Sequence, residues 1–149
     1  MQRVFSILLL LFLAVSLPTA AFARKAPLAA ELMQAKTVYI QSYSASYVRE
    51  CSDELTKWGR LKIVSDPTEA DVIVRIGSHT GSSGYTRTGN VMTPNTHLLI
   101  TVEVVQASSQ KALWSGTQSW DPLFRRTPAK SLVKELQKRV EEQEKSGRS

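Results

Sequence analysis

Two stretches of this chain repeat apolar residues at helical spacing, and each carries a single apolar stripe. From Ser46 the stripe is Val48, Cys51, Leu55 and Trp58, while Arg49, Glu50, Asp53, Glu54 and Lys57 lie off it. Ser44 or Ser46 can cap the start of this helix, and Gly59 stands where a left-handed C-terminal residue is wanted. Late in the chain Ala129, Leu132, Val133, Leu136 and Val140 form the second stripe, behind Thr127 as N-cap and Pro128 in the first turn. A helix with one stripe can cover a flat apolar layer from one side only.

The remaining runs supply that layer. Thr37 to Gln41 and Leu61 to Val64 read as short strands on either side of the first helix, which predicts a crossover and a parallel pair. Asp71 to Gly77 is strongly β-prone, with Val72, Val74 and Ile76 on one face and Ile73 on the other. His97 to Gln106 puts Leu98, Ile100, Val102 and Val104 on one side. Ala107 to Gln110 then turns the chain into a return strand, Lys111 to Trp120. The order β-α-β-β-β-β-α predicts an α+β two-layer sandwich, a mixed sheet of about five strands with two helices on one face. Between the third and fourth strands, Ser78 to Thr96 is rich in Gly, Ser and Thr and reads as a long loop, either functional or a spacer.

The amino terminus has the order of a secretory leader: Arg3, a nearly unbroken apolar run from Val4 to Leu17, Pro18, and the small-residue tripeptide Ala21-Phe22-Ala23. The run falls short of the ~20 apolar residues of a spanning helix, so no transmembrane span is expected in the mature chain. Residues 1–23 are read as a signal peptide, 24–36 as a flexible lead-in, 37–145 as one α/β domain and 146–149 as a disordered tail. Export to the periplasm or beyond follows. Of 149 residues, 126 remain after cleavage, and with Arg3 removed the formal charge falls from +6 to +5. Cys51 is the sole cysteine, so no intramolecular disulfide can form, and Arg24 stands where a lipoprotein would carry its anchoring cysteine.

Few constellations suggest chemistry. His79 lies among loop serines, which evokes a hydrolase, yet no nucleophile-elbow pattern accompanies it. His97 opens a strand, and Asp66, Glu69 and Asp71 flank Pro67 in a turn where carboxylates serve cap geometry. The spacing of Gly81, Gly84 and Gly89 fits no phosphate-binding fingerprint. Catalytic residues, metal and cofactor are therefore not expected, nor is nucleic acid a partner. Lys130, Lys134, Lys138 and Arg139 alternate with Glu135, Glu141, Glu142 and Glu144, as on a solvated helix face. Tyr85, Arg87 and Met92 in the long loop, and Trp120, Leu123, Phe124, Arg125 and Arg126 after the last strand, are residue types that protein interfaces favour. Tyr85, Arg87, Trp120, Phe124, Arg125 and Arg126 are the candidate partner-binding residues, and an exposed edge of the return strand is an alternative docking place. Arg60, Lys62, Arg125 and Arg126 offer a second reading, weak binding of an anionic polymer such as lipopolysaccharide or a cell-wall component.

Thr37-Val38-Tyr39-Ile40, the segment Trp58 to Val64, Asp66-Pro67-Thr68-Glu69-Ala70-Asp71 leading into Val72-Ile73-Val74, and Ala112-Leu113-Trp114-Ser115-Gly116 together resemble the small exported α/β domains of bacterial envelope proteins. That group includes the lipopolysaccharide-assembly lipoprotein, the curli-secretion lipoprotein and the amino-terminal domain of the Tol translocation protein. The resemblance implies a non-enzymatic adaptor or assembly role with an envelope protein as partner. It carries no functional residue over to this chain.

Overall fold

The computed structural model describes residues 26–120 and 127–147. Its elements are α1 (Ala30–Gln34), β1 (Thr37–Ser42), α2 (Ala45–Trp58), β2 (Lys62–Ile63), β3 (Val72–Thr88), β4 (Val91–Gln106), β5 (Ala112–Trp120) and α3 (Pro128–Ser146), with a short 3-10 turn at Pro67–Glu69. The strands form one mixed sheet in the order β2-β1-β3-β4-β5. β1 runs parallel to both β2 and β3, and β4 runs antiparallel to both β3 and β5. This is the two-layer α+β sandwich that the stripes require.

Register explains the core. Val38 and Ile40 stand beside Val72 and Val74, Val74 faces Val104, and Ile76 faces Val102. That single sheet face meets Cys51 and Leu55 of α2 and Ala129, Leu132, Val133, Leu136 and Val140 of α3. Both helical stripes are spent on it. Val48 and Trp58 pack at its margin. Gly59 closes α2 at φ +69° and donates its N–H to the Leu55 carbonyl, as a left-handed C-cap does.

Within the expected lead-in, Leu28, Leu32 and Ala35 are buried, and α1 occupies Ala30–Gln34. The Gln143 side chain of α3 clasps this segment, accepting from Leu28 N–H at 2.6 Å and donating to Leu28 O at 3.2 Å. The register of α3 explains why its last turns hold to Ser146, at the start of the expected tail: Gln143 bonds Leu28 and Glu144 pairs with Arg60. The signal-peptide residues and the final two positions lie outside the described residues.

On the solvated face of α3 Lys138 pairs with Glu142 at i,i+4 as expected, but two other lysines also serve the neighbouring helix. Lys130 and Lys134 reach across to Glu54 of α2 at 3.2 and 3.8 Å, and Lys57 joins them at 3.2 Å. The Glu54 side chain is only 5% exposed, which favours its neutral form. The ammonium groups of Lys57 and Lys130 outweigh that burial and hold its carboxyl below the ordinary value. Asp71 is held low as well, mainly because its carboxylate accepts the backbone N–H groups of Lys36 at 2.8 Å and Thr37 at 3.0 Å.

Both groups therefore release protons more readily in the folded chain than in the unfolded one. Their stabilisation is complete above the unfolded carboxylate pKa of about 4 and is lost as pH falls through the lower folded values. Thermal unfolding between neutrality and pH ~3 is expected to show this loss at the acid end. Glu54→Gln should flatten the acid limb, and an unchanged limb would mean that the lysines do not hold Glu54.

Candidate functional site

The segment from Ser78 to Thr96 is a hairpin arm, not an irregular loop. β3 and β4 remain paired from Val72↔Gln106 out to Thr88↔Val91, whereas β1 ends opposite Ile76 and β5 ends opposite Leu98. The ribbon beyond those points has two strands and almost every residue in it is exposed. Thr80, Tyr85, Thr86, Thr88, Val91, Thr93 and Thr96 are β-formers that sit well on such a surface. Gly89 and Asn90 make the two-residue turn, with Gly89 at φ +62° in the first central position, where a type II′ turn wants glycine.

A β-bulge decides what the arm displays. Between the pairs Ser82↔Thr96 and Tyr85↔Pro94, β3 carries two residues against the single Asn95 of β4, and Gly84 takes φ +114° to accommodate the extra one. Below the bulge the even-numbered residues of β3 point to the helix side, continuous with Val72, Val74 and Ile76. Above it the parity changes. Tyr85 and Arg87 therefore join Met92, Pro94, Thr96 and Leu98 of β4 on the helix side. The opposite face is marked by Thr86 Oγ1, which donates to Asn95 Oδ1 at 2.6 Å, and by Gly81, whose bare Cα makes room for Leu99 and His97.

Trp120 closes the row. It pairs with Leu98 at the end of β5, on the same helix-side face. Tyr85 is 66% exposed, Met92 61% and Trp120 42%. Arg87 donates through Nε to the Gly89 carbonyl at 3.0 Å, which fixes its guanidinium near the tip. No carboxylate occurs between Asp71 and Glu103, so Arg87 is the formal charge of the arm.

The arm thus gathers Tyr85, Arg87 and Trp120, three of the candidate partner-binding residues, on one surface. Phe124, Arg125 and Arg126 lie outside the described residues. Met92 falls beside Arg87, and Pro94 and Leu98 complete a row that residue-by-residue reading missed. The Gly89-Asn90 pair, exactly two residues between β-prone runs, was the signal that could have found the hairpin.

Of the anionic-polymer set, Arg60 and Lys62 fall within the described residues. Arg60 is committed inside the fold, to Glu144, to the Met33 carbonyl at 2.5 Å and over the Trp58 ring at 5.8 Å. Lys62 sits apart on β2. At the hydrolase candidate, His79 is exposed on the far face of β3, while the hydroxyl of Ser78 on the helix side bonds Tyr43. Cys51 is fully buried, and burial pushes its thiol up to about 12.

No helix of the described residues is long and apolar enough to cross a membrane. No protein-family model and no curated protein matches the chain. Solved structures to which it is similar include a PDZ domain protein from Parabacteroides distasonis at 14% identity and TM-score 0.41, covering 66% of this chain and only 30% of that one. A minor lipoprotein from Acinetobacter baumannii shares 10% identity at TM-score 0.41, covering 70% of this chain and 91% of its own. A dodecameric PelC variant from Paraburkholderia phytofirmans shares 17% identity at TM-score 0.41, covering 78% and 94% respectively.

Proposed function

We propose that this chain is an exported, non-enzymatic binding or assembly domain of the bacterial envelope, and that it holds a protein partner on the helix-side face of its β3–β4 arm. One observation carries the reading. The bulge at Ser83 and Gly84 turns Tyr85 and Arg87 onto the face that already bears Met92, Leu98 and Trp120, and Tyr85, Met92 and Trp120 are exposed there. A two-stranded ribbon has little independent stability in water, and aromatic residues beside an arginine are the side chains on which interfaces concentrate their energy. The leader-like first 23 residues support export.

A photo-crosslinking side chain at position 85 tests the reading. In envelope extracts it is expected to trap a discrete protein adduct, while the same probe at Thr93, on the opposite face of the same ribbon, traps none. Equal labelling from the two positions would show that the helix-side face has no privileged role.

A further inference from the structure

Every large apolar side chain exposed among the described residues, namely Tyr43, Tyr85, Val91, Met92 and Trp120, lies on the arm or at its base. Tyr43 belongs to the base because its hydroxyl meets that of Ser78, where the arm begins. At the tip these groups are not confined to one face. Met92 and Tyr85 point to the helix side, and Val91, one residue earlier on β4, points to the other. A partner docked on a single face leaves part of this apolar tip in water. A medium that takes the tip end-on covers all of it. We infer that the tip of the arm, from the Gly89-Asn90 turn back to the Tyr85↔Pro94 rung, inserts end-on into the headgroup layer of an anionic phospholipid membrane. This goes beyond the protein-binding reading and does not depend on it.

Charge and depth favour lipid as the occupant. None of the chain's 13 Asp and Glu residues falls between Asp71 and Glu103, so the arm brings no carboxylate to a negative surface. Arg87 stands one rung behind the Thr88↔Val91 pair that closes the turn. Its Nε is bonded to the Gly89 carbonyl, and its remaining N–H donors have the fork geometry that phosphate oxygens accept. From Val91 to Pro94 is three residues of strand, about 10 Å, which is the depth to which amphipathic elements sink into the boundary between headgroups and acyl chains. Tyr85 then lies at the outer level, its ring in the apolar layer and its hydroxyl wet. Deeper entry is opposed because a two-stranded ribbon carries unpaired N–H and C=O groups along both edges, and these are costly in hydrocarbon. Leu98 and Trp120, farther down the arm, stay clear of the lipid for a partner protein.

Co-sedimentation with vesicles tests the inference, using the chain from Arg24, which carries every described element and none of the apolar leader. Vesicles containing phosphatidylglycerol should bind it, and pure phosphatidylcholine about fivefold or more weakly. Val91→Asp and Met92→Asp should each reduce binding about tenfold or more. Ser108→Asp, the same charge change in the exposed turn between β4 and β5 at the opposite pole, should leave it unchanged. An environment-sensitive dye on Asn90→Cys should shift to the blue with these vesicles, and the same dye on Thr96→Cys, about 17 Å down β4 from Val91, should not. Cys51 is fully buried and its thiol is pushed up to about 12, so the label goes to the introduced cysteine. No binding to the phosphatidylglycerol vesicles overturns the inference. So does binding indifferent to both Val91→Asp and Met92→Asp, or an equal dye shift at positions 90 and 96. If the chain ignores the vesicles while the probe at position 85 traps a protein, insertion is refuted and the protein-binding face stands.

Discussion

Leu55→Ala is expected to lower the unfolding free energy by about 2–5 kcal/mol, the range for deleting a fully buried leucine side chain. Leu55 is 0% exposed and lies where the α2 stripe meets the sheet and α3. Its surroundings have little freedom to close over the lost atoms. Cys51, one turn earlier, is itself fully buried, and the helix ends one turn later in a cap whose N–H is bonded to the Leu55 carbonyl. For a domain of this size the loss would consume a large share of a total stability of about 5–15 kcal/mol. Urea titration followed by tryptophan fluorescence measures it, with half-buried Val48→Ala as the smaller comparison. A midpoint shift for Leu55→Ala no greater than that for Val48→Ala would place Leu55 outside the core.

Gly116→Val is expected to cost about 1–3 kcal/mol by overpacking. The glycine is needed for space and not for an unusual backbone angle. A Cβ there would lie 2.7 Å from Trp114 Cη2 and 2.9 Å from Leu132 Cδ2, because the indole of Trp114 folds back along β5 and α3 presses Leu132 down onto the same spot. The ring cannot bend away, but the leucine can be removed. In a double-mutant cycle, Leu132→Ala should therefore cost less in the Gly116→Val background than in the native one, with a coupling that isolates the clash. Strict additivity would mean that the strand shifts as a whole and the contact is incidental.

The body of the fold was legible because its elements turn a periodic apolar side to the shared core, although Ile73 and Val105 are buried on the opposite face of the sheet as well. Val72, Val74 and Ile76 alternate with Ile73 and Arg75, and Ala129 to Val140 repeat at helical spacing, since burial selects on the period of the element. On the arm that selection is missing. Both faces of Ser78–Thr96 are exposed, so no alternation was imposed, and the bulge changes parity midway, so a search by fixed period breaks at Gly84. Composition then suggested a loop. Tyr85, Arg87 and Trp120 could be chosen as interface types from chemistry alone, but their common face is a product of register that pairing with β4 and β5 creates. Glu54 was invisible for a related reason: it lies beside the first stripe, and its burial depends on lysines that arrive from a helix some eighty residues later.

The clasp of Gln143 on Leu28 gives the molecule a handle as well as a tool. α3 starts at the pole where β5 ends and the arm departs, and its final turns reach the pole where β1 begins, which is where Gln143 takes hold of the early chain. Ala26, whose carbonyl accepts from Arg139 of α3, is held by the same helix. Anything that grips the molecule at that rear pole would thus aim the hairpin away from the point of attachment, like the head of a pin.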